Sequence, residues 1–76
     1  MNASASPAPP VQITLDGAPH AVTPGTTLAQ LVEALGHAPQ AVGTAVNAEF
    51  VPRAARQNCV LQAGDQVLLF QPIVGG

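Results

Sequence analysis

Val11, Ile13 and Leu15 alternate with Gln12 and Thr14, the period-two pattern of a strand with one buried face. Asp16-Gly17 follows, a hairpin signal because both residues tolerate positive φ. The return strand runs from Ala18 to Thr23, with His20 and Val22 on one face, and Pro24-Gly25 ends it. The period then changes. Leu28, Leu31, Val32 and Leu35 stand at i, i+3, i+4 and i+7 and form one apolar helical stripe. Thr27, with Gln30 three residues on, fits a capping box in which each side chain satisfies a free N–H of the first turn; Thr26 is the other candidate cap. Gly36 stands at the left-handed C-terminal cap and Pro39 blocks resumption, so the spacing predicts a helix of about three turns.

Ala41 to Asn47 is strand-like again, with Val42 and Val46 inward. Asn47-Ala48 is a tight turn, weaker than Asn-Gly because the Ala Cβ resists positive φ. Glu49 to Val51 pairs back and Pro52 ends the strand. Residues 53–63 read as irregular, with Val60 and Leu61 the expected core plugs. Gly64-Asp65 turns the chain into a last strand, Gln66 to Gln71. Val67 and Leu69 alternate there with Leu68 and Phe70, so both faces are apolar, which suits a central strand with the helix over one side. Pro72 ends the ladder. The order strand, strand, helix, strand, strand, strand predicts an α+β roll: a mixed sheet of four to five strands with one main helix across one face.

The domain is expected to span residues 11–72. Residues 1–10 are small residues and proline, too poor in side chain to offset their ordering entropy, and read as a flexible arm. They lack the positive and apolar regions of a signal peptide. Residues 73–76 read as a flexible tail ending in diglycine.

Composition removes function classes. Six of 76 residues are charged, none of them lysine, and the net charge is −2, which excludes a basic nucleic-acid binder. Phe50 and Phe70 are the only aromatics, so a base-stacking platform is missing as well. One cysteine, Cys59, excludes an intramolecular disulfide framework and a cysteine-based zinc cage. No apolar run approaches the roughly 20 residues that span a bilayer. These features point to a protein of the cytoplasm, with no membrane partner.

The side chains offer no catalytic constellation. His20 and His37 have no ligand spacing between them, so no metal site is expected. Glu33 falls on the solvated helix face, Asp16 and Asp65 are turn formers, and Cys59 reads as an incidental thiol with no base nearby in sequence. The backbone offers more. Gly75 and Gly76, without Cβ atoms, can thread a narrow channel and present the α-carboxylate of Gly76 at the end of a thin probe anchored on a strand. A carboxylate is a poor electrophile. Transfer of AMP from ATP converts it to an acyl-adenylate with a good leaving group, which a sulfur nucleophile can displace. That work requires a partner enzyme, because the chain has no phosphate loop and no nucleophile.

Three segments carry a resemblance: Ala45-Val46-Asn47-Ala48-Glu49-Phe50-Val51-Pro52-Arg53, Gly64-Asp65-Gln66-Val67-Leu68-Leu69-Phe70-Gln71, and Ile73-Val74-Gly75-Gly76. In combination they resemble the ThiS family of sulfur carrier proteins of thiamine biosynthesis, over residues 11–76. The resemblance implies a ubiquitin-like β-grasp fold. It implies that Gly76 is adenylated by a ThiF-type enzyme using ATP and magnesium, with no cofactor bound to the carrier itself. Sulfur from a cysteine desulfurase or other donor then makes a thiocarboxylate, which thiazole synthase consumes. The chain is then a co-substrate, not an enzyme. Residues proposed to dock partners are Phe70, Ile73, Val74 and, more weakly, Arg53. The chain departs from the family in its arm, in Ala48, and in Ala54-Ala55 after Arg53. The alternative is the small subunit of molybdopterin synthase, or another ubiquitin-like carrier or modifier; the single short helix and Phe70-Gln71-Pro72 favour the thiamine carrier.

Overall fold

The computed structural model describes residues 9–71. β1 (Val11–Leu15) and β2 (Ala18–Val22) form an antiparallel hairpin in which Val11 faces Val22 and Leu15 faces Ala18. Its two-residue turn has positive φ at both Asp16 (52°) and Gly17 (84°), the twist that a right-handed hairpin requires. The helix α1 (Leu28–Ala34) follows, then β3 (Gly43–Val46), β4 (Glu49–Val51) and β5 (Gln66–Phe70). The strand order is β2-β1-β5-β3-β4. β5 lies in the middle, parallel to β1 and antiparallel to β3. The expected mixed sheet is present, with five strands.

Both ends of α1 are set by the residues read from sequence. The Thr27 hydroxyl accepts from the Gln30 N–H at 3.2 Å, and the Gln30 side-chain oxygen accepts from the Thr27 N–H at 3.0 Å. Thr26 is not the cap; its hydroxyl bonds that of Thr23 at 2.8 Å. At the other end Gly36, at φ 84°, allows a Schellman pair: His37 N–H donates to Val32 C=O at 3.2 Å and Gly36 N–H to Glu33 C=O at 3.0 Å. The helix has seven residues, about two turns rather than the expected three. Leu35 belongs to the apolar stripe but serves as the C-cap, so the stripe is longer than the helix.

The core forms between α1 and one face of the sheet. Leu28 and Leu31 pack with Ile13, Val22, Leu61 and Val67, and Leu15, Val46 and Leu69 lie partly buried against them. Burying each of these large aliphatic side chains contributes about 1.5–3 kcal/mol relative to exposure.

The region before and after β3 and β4 departs from the sequence reading. Pro39–Ala41 forms a short 3-10 turn instead of the start of a strand, because Pro39 at its first position presets φ. Residues 53–58 are not irregular but a 3-10 helix, Arg53–Asn58. Leu61 is a core plug as expected, but Val60 is 44% exposed. Adjacent residues of an extended segment point to opposite sides, so only one of this pair can enter the core. Val60 instead forms an isolated bridge with Thr27, and the Cys59 carbonyl accepts from Leu28 N–H at 2.8 Å.

The β3–β4 turn holds Asn47 at φ 53° and Ala48 at φ 69°. Ala48 thus occupies the conformation its Cβ disfavours by about 1–2 kcal/mol. The register is kept by Asn47, whose side-chain oxygen accepts from Gln66 N–H at 3.0 Å while its amide donates to Asp65 at 3.1 Å. Replacing Ala48 with glycine is expected to stabilise the domain by about 1 kcal/mol. Denaturant titration checks this: an upward shift in midpoint is expected, and an unchanged or lower midpoint counts against the turn as a site of strain.

Candidate functional site

The site is built around the end of β5, the last strand of the described residues. On the β1 side, Asp16 N–H donates to Val67 C=O at 2.9 Å, and an Asp16 carboxylate oxygen accepts from Leu69 N–H at 3.0 Å. The Asp16 side chain therefore continues the parallel ladder beyond the end of β1. On the β3 side, Phe70 pairs with Gly43. β5 is held from both sides up to Phe70, and Gln71, the last described residue, is exposed.

The two faces of β5 do different things. Val67 and Leu69 point toward α1, and Leu68 and Phe70 point away. Across the sheet, Ala45 lies opposite both Leu68 and Phe50, so Leu68, Ala45 and Phe50 form one row on the open face. Phe50 is 62% exposed and Phe70 is 44% exposed, and their ring centroids lie 6.3 Å apart with the planes tilted by 40°. Phe70 is therefore not a core residue. Its ring lies across Gly43, where a Cβ would collide with it, so the glycine is what lets the ring lie against β3 in this position.

Two shallow grooves flank Phe70. One is lined by Asp16, His37, Leu69 and Gln71, and the other by Gly43, Phe50, Arg53 and Arg56. Arg53 is exposed, whereas Arg56 is 3% exposed. Arg56 donates from Nε to the Thr44 hydroxyl at 3.0 Å, from one terminal nitrogen to Pro39 C=O at 2.8 Å and from the other to Val42 C=O. Thr44 passes the chain on by donating to Val51 C=O at 2.8 Å. One guanidinium thereby ties the 3-10 turn before β3 to β3 and β4. Burial, and then the nearby charge of Arg53, pull Arg56 below its ordinary pKa.

Among the described residues, no group of three or more His, Cys, Asp or Glu is placed to hold a metal ion. His20 is half-buried on β2 and His37 is exposed beyond α1. Cys59 is half-buried, and burial followed by the Asp65 charge pushes its thiol above its ordinary pKa. A raised pKa keeps the thiol protonated, the opposite of a nucleophile's tuning. Iodoacetamide is expected to alkylate Cys59 at pH 7.5 several-fold more slowly than free cysteine. A rate equal to or above that of free cysteine contradicts this assignment.

The sequence profile of the ThiS family matches residues 9–76. The chain belongs to the ThiS family. The sulfur carrier protein ThiS of Escherichia coli (strain K12) is 40% identical over 52 residues, 68% of this chain and 79% of that protein. The crystal structure of the thiamine biosynthesis protein (ThiS) of Geobacter metallireducens superimposes with a TM-score of 0.76 at 26% identity, covering 87% of this chain and 100% of that one. The fold is accordingly the β-grasp. A thiazole synthase of Magnetococcus marinus is 39% identical over 66 residues, 87% of this chain but 20% of that protein. A stretch resembling a ThiS-family chain is thus contained within a much longer protein named as a thiazole synthase.

In this ThiS-family chain the docking candidates Phe70 and Arg53 stand on the same groove. Pro72, Ile73, Val74, Gly75 and Gly76 lie outside the described residues, as do residues 1–8 of the arm. Sequence reasoning missed Arg56, Gly43, Phe50 and the role of Asp16 beyond turn formation. Phe50 had a signal, since the two-residue turn at Asn47-Ala48 fixes the pairing that sets Phe50 opposite Ala45. Arg56 had none, because a buried arginine inside an Ala-rich 3-10 helix follows no periodic pattern.

Proposed function

We propose that this chain is a sulfur carrier of thiamine biosynthesis whose working group is the α-carboxylate of Gly76. The observation that carries the reading is that the family match runs through residue 76, so it includes the diglycine. A ThiF-type adenylating enzyme transfers AMP from ATP, with magnesium, to a Gly76 carboxylate oxygen and releases pyrophosphate. A sulfur nucleophile, supplied by a cysteine desulfurase or another donor, attacks the activated carbonyl and AMP departs. The resulting thiocarboxylate gives its sulfur to thiazole synthase. The carrier binds no cofactor of its own and is a recycled co-substrate. A cytoplasmic setting, with its ATP and reduced sulfur, suits this chemistry.

The fold supports this division of labour. β5, anchored by Asp16 and Gly43, gives the tail a fixed origin, and the exposed Leu68, Phe50 and Phe70 give the partners a surface beside it. Phe70, Arg53 and the tail residues Ile73 and Val74 make the docking contacts. The Magnetococcus marinus protein supports thiazole synthase as the acceptor, because linking two partners in one chain raises their effective concentration. Gene deletion tests the reading. Growth is expected to be restored by thiamine or its thiazole precursor, whereas a molybdoenzyme defect would point instead to the molybdopterin pathway.

A further inference from the structure

The chain has two cationic side chains, Arg53 and Arg56, and two aromatic ones, Phe50 and Phe70. All four line one groove, whose remaining wall is Pro39, Gln40, Val42 and Gly43. We propose that this groove receives a carboxylate side chain, flanked by an apolar one, from the partner that activates Gly76. The proposal deepens the sulfur-carrier reading and rests on it.

Charge and shape both lead there. The chain carries four acidic side chains and a net charge of −2, yet its only positive charges are gathered at this groove. Every hydrogen bond that Arg56 makes among the described residues goes to a neutral oxygen: Thr44 hydroxyl, Pro39 carbonyl or Val42 carbonyl. No carboxylate is among its hydrogen-bond partners in the described domain. The charge of Arg53 adds to the cost of its burial, since like charges disfavour one another. A single anion at the groove mouth relieves both. Arg53, being exposed, supplies the direct contact, and Arg56 supplies a fixed positive field from beneath.

The walls select the class of anion. Phe50 and Phe70 present exposed ring surface whose burial requires an apolar companion, and aromatic residues with arginine form the usual anchors of protein interfaces. A phosphate backbone would offer a row of charges to a site with one exposed cation. A carboxylate beside a leucine- or phenylalanine-sized side chain matches both features. The location fits as well. Phe70 is followed by Gln71, and the five residues from there to Gly76 reach at most about 16–18 Å. A partner that holds the Gly76 carboxylate in its active centre is therefore within reach of this groove.

The test is the KM of the full-length carrier in ATP–pyrophosphate exchange catalysed by its adenylating enzyme, with melting curves for each variant. Arg53→Glu is expected to raise KM roughly tenfold or more, an effect that shrinks with added salt. Arg53→Lys is expected to stay within about threefold of the parent chain. Phe50→Ala tests the apolar wall at an exposed position and is also expected to raise KM. Changing one acidic residue of the partner's docking surface to arginine is expected to restore binding of Arg53→Glu. If KM is unchanged by Arg53→Glu, no carboxylate is bound there. If KM falls, the groove competes for the carrier's own terminal carboxylate; either result overturns the proposal. If the parent chain supports no exchange at all, the carrier reading fails and this proposal fails with it.

Discussion

Replacing Arg56 with methionine is expected to destabilise the domain by about 2–4 kcal/mol, at roughly 1–3 kcal/mol for each buried oxygen left without a donor, a large part of the roughly 5–15 kcal/mol that holds a typical domain folded. Methionine keeps the bulk of the side chain but removes every donor. Pro39 C=O, Val42 C=O and Thr44 Oγ1 then lose this donor, and the bonds lost by Val42 and Thr44 are buried ones. Lysine is no substitute, because one ammonium cannot span three oxygens arranged for a planar guanidinium. The melting midpoint is expected to fall by roughly 10 °C or more in a domain this small. Arg53→Met, at an exposed position, is expected to shift stability by only about 0.5 kcal/mol. Equal effects of the two substitutions would show that Arg56 does not organise the 3-10 turn, β3 and β4 as described.

Deleting Gly76 has the largest expected effect on function. It leaves a carboxylate on Gly75, but that group ends one residue, about 3.3–3.6 Å, short of its former position. A displacement of that size is more than enough to abolish attack in an active centre that requires its reacting atoms about 3–3.5 Å apart. Sulfur loading is therefore expected to fall below detection. The melting midpoint is expected to stay unchanged, since the described core and β5 ladder are built from residues up to Phe70. Loading that survives the deletion would remove the terminal residue from the mechanism.

Most of the fold was legible because local signals and tertiary packing agree. The alternation at Val11–Leu15, the Asp16-Gly17 turn, the Thr27/Gln30 box and the Gly36 stop each have one dominant physical meaning, and each appears in the structure. The apolar character of both faces of β5 correctly placed it in the centre of the sheet. It did not say that the second face would remain open. A strand covered on both sides and one awaiting a partner have the same pattern, so Phe70 and Leu68 became informative only with their exposure. The segment after β4 was illegible for a different reason. Its organising residue is a buried cation bonded to backbone carbonyls 14 and 17 positions away, and neither propensity nor periodicity encodes such contacts. Val60 shows the limit of hydrophobicity alone: two adjacent valine- and leucine-sized residues look equally apolar, and the extended backbone admits only one.

The candidate site divides in the same way. The reactive end is proposed from chemistry alone: Gly75 and Gly76, on a chain poor in catalytic side chains, make the Gly76 carboxylate the proposed group to activate. The surface proposed to present it was not legible in the sequence. It needs Gly43 under the Phe70 ring, Asp16 on the Leu69 amide and Phe50 across from Ala45, all contacts between strands distant in sequence.

The central claim is that Gly76 carries sulfur as a thiocarboxylate. Intact mass spectrometry of the full chain tests it most directly, after incubation with the adenylating enzyme, ATP, magnesium and a sulfur donor. The predicted result is a species heavier by the difference between one sulfur and one oxygen, with fragment ions locating the change at Gly76. A chain whose mass stays unchanged with all components active, or whose added sulfur maps to Cys59, would contradict the account.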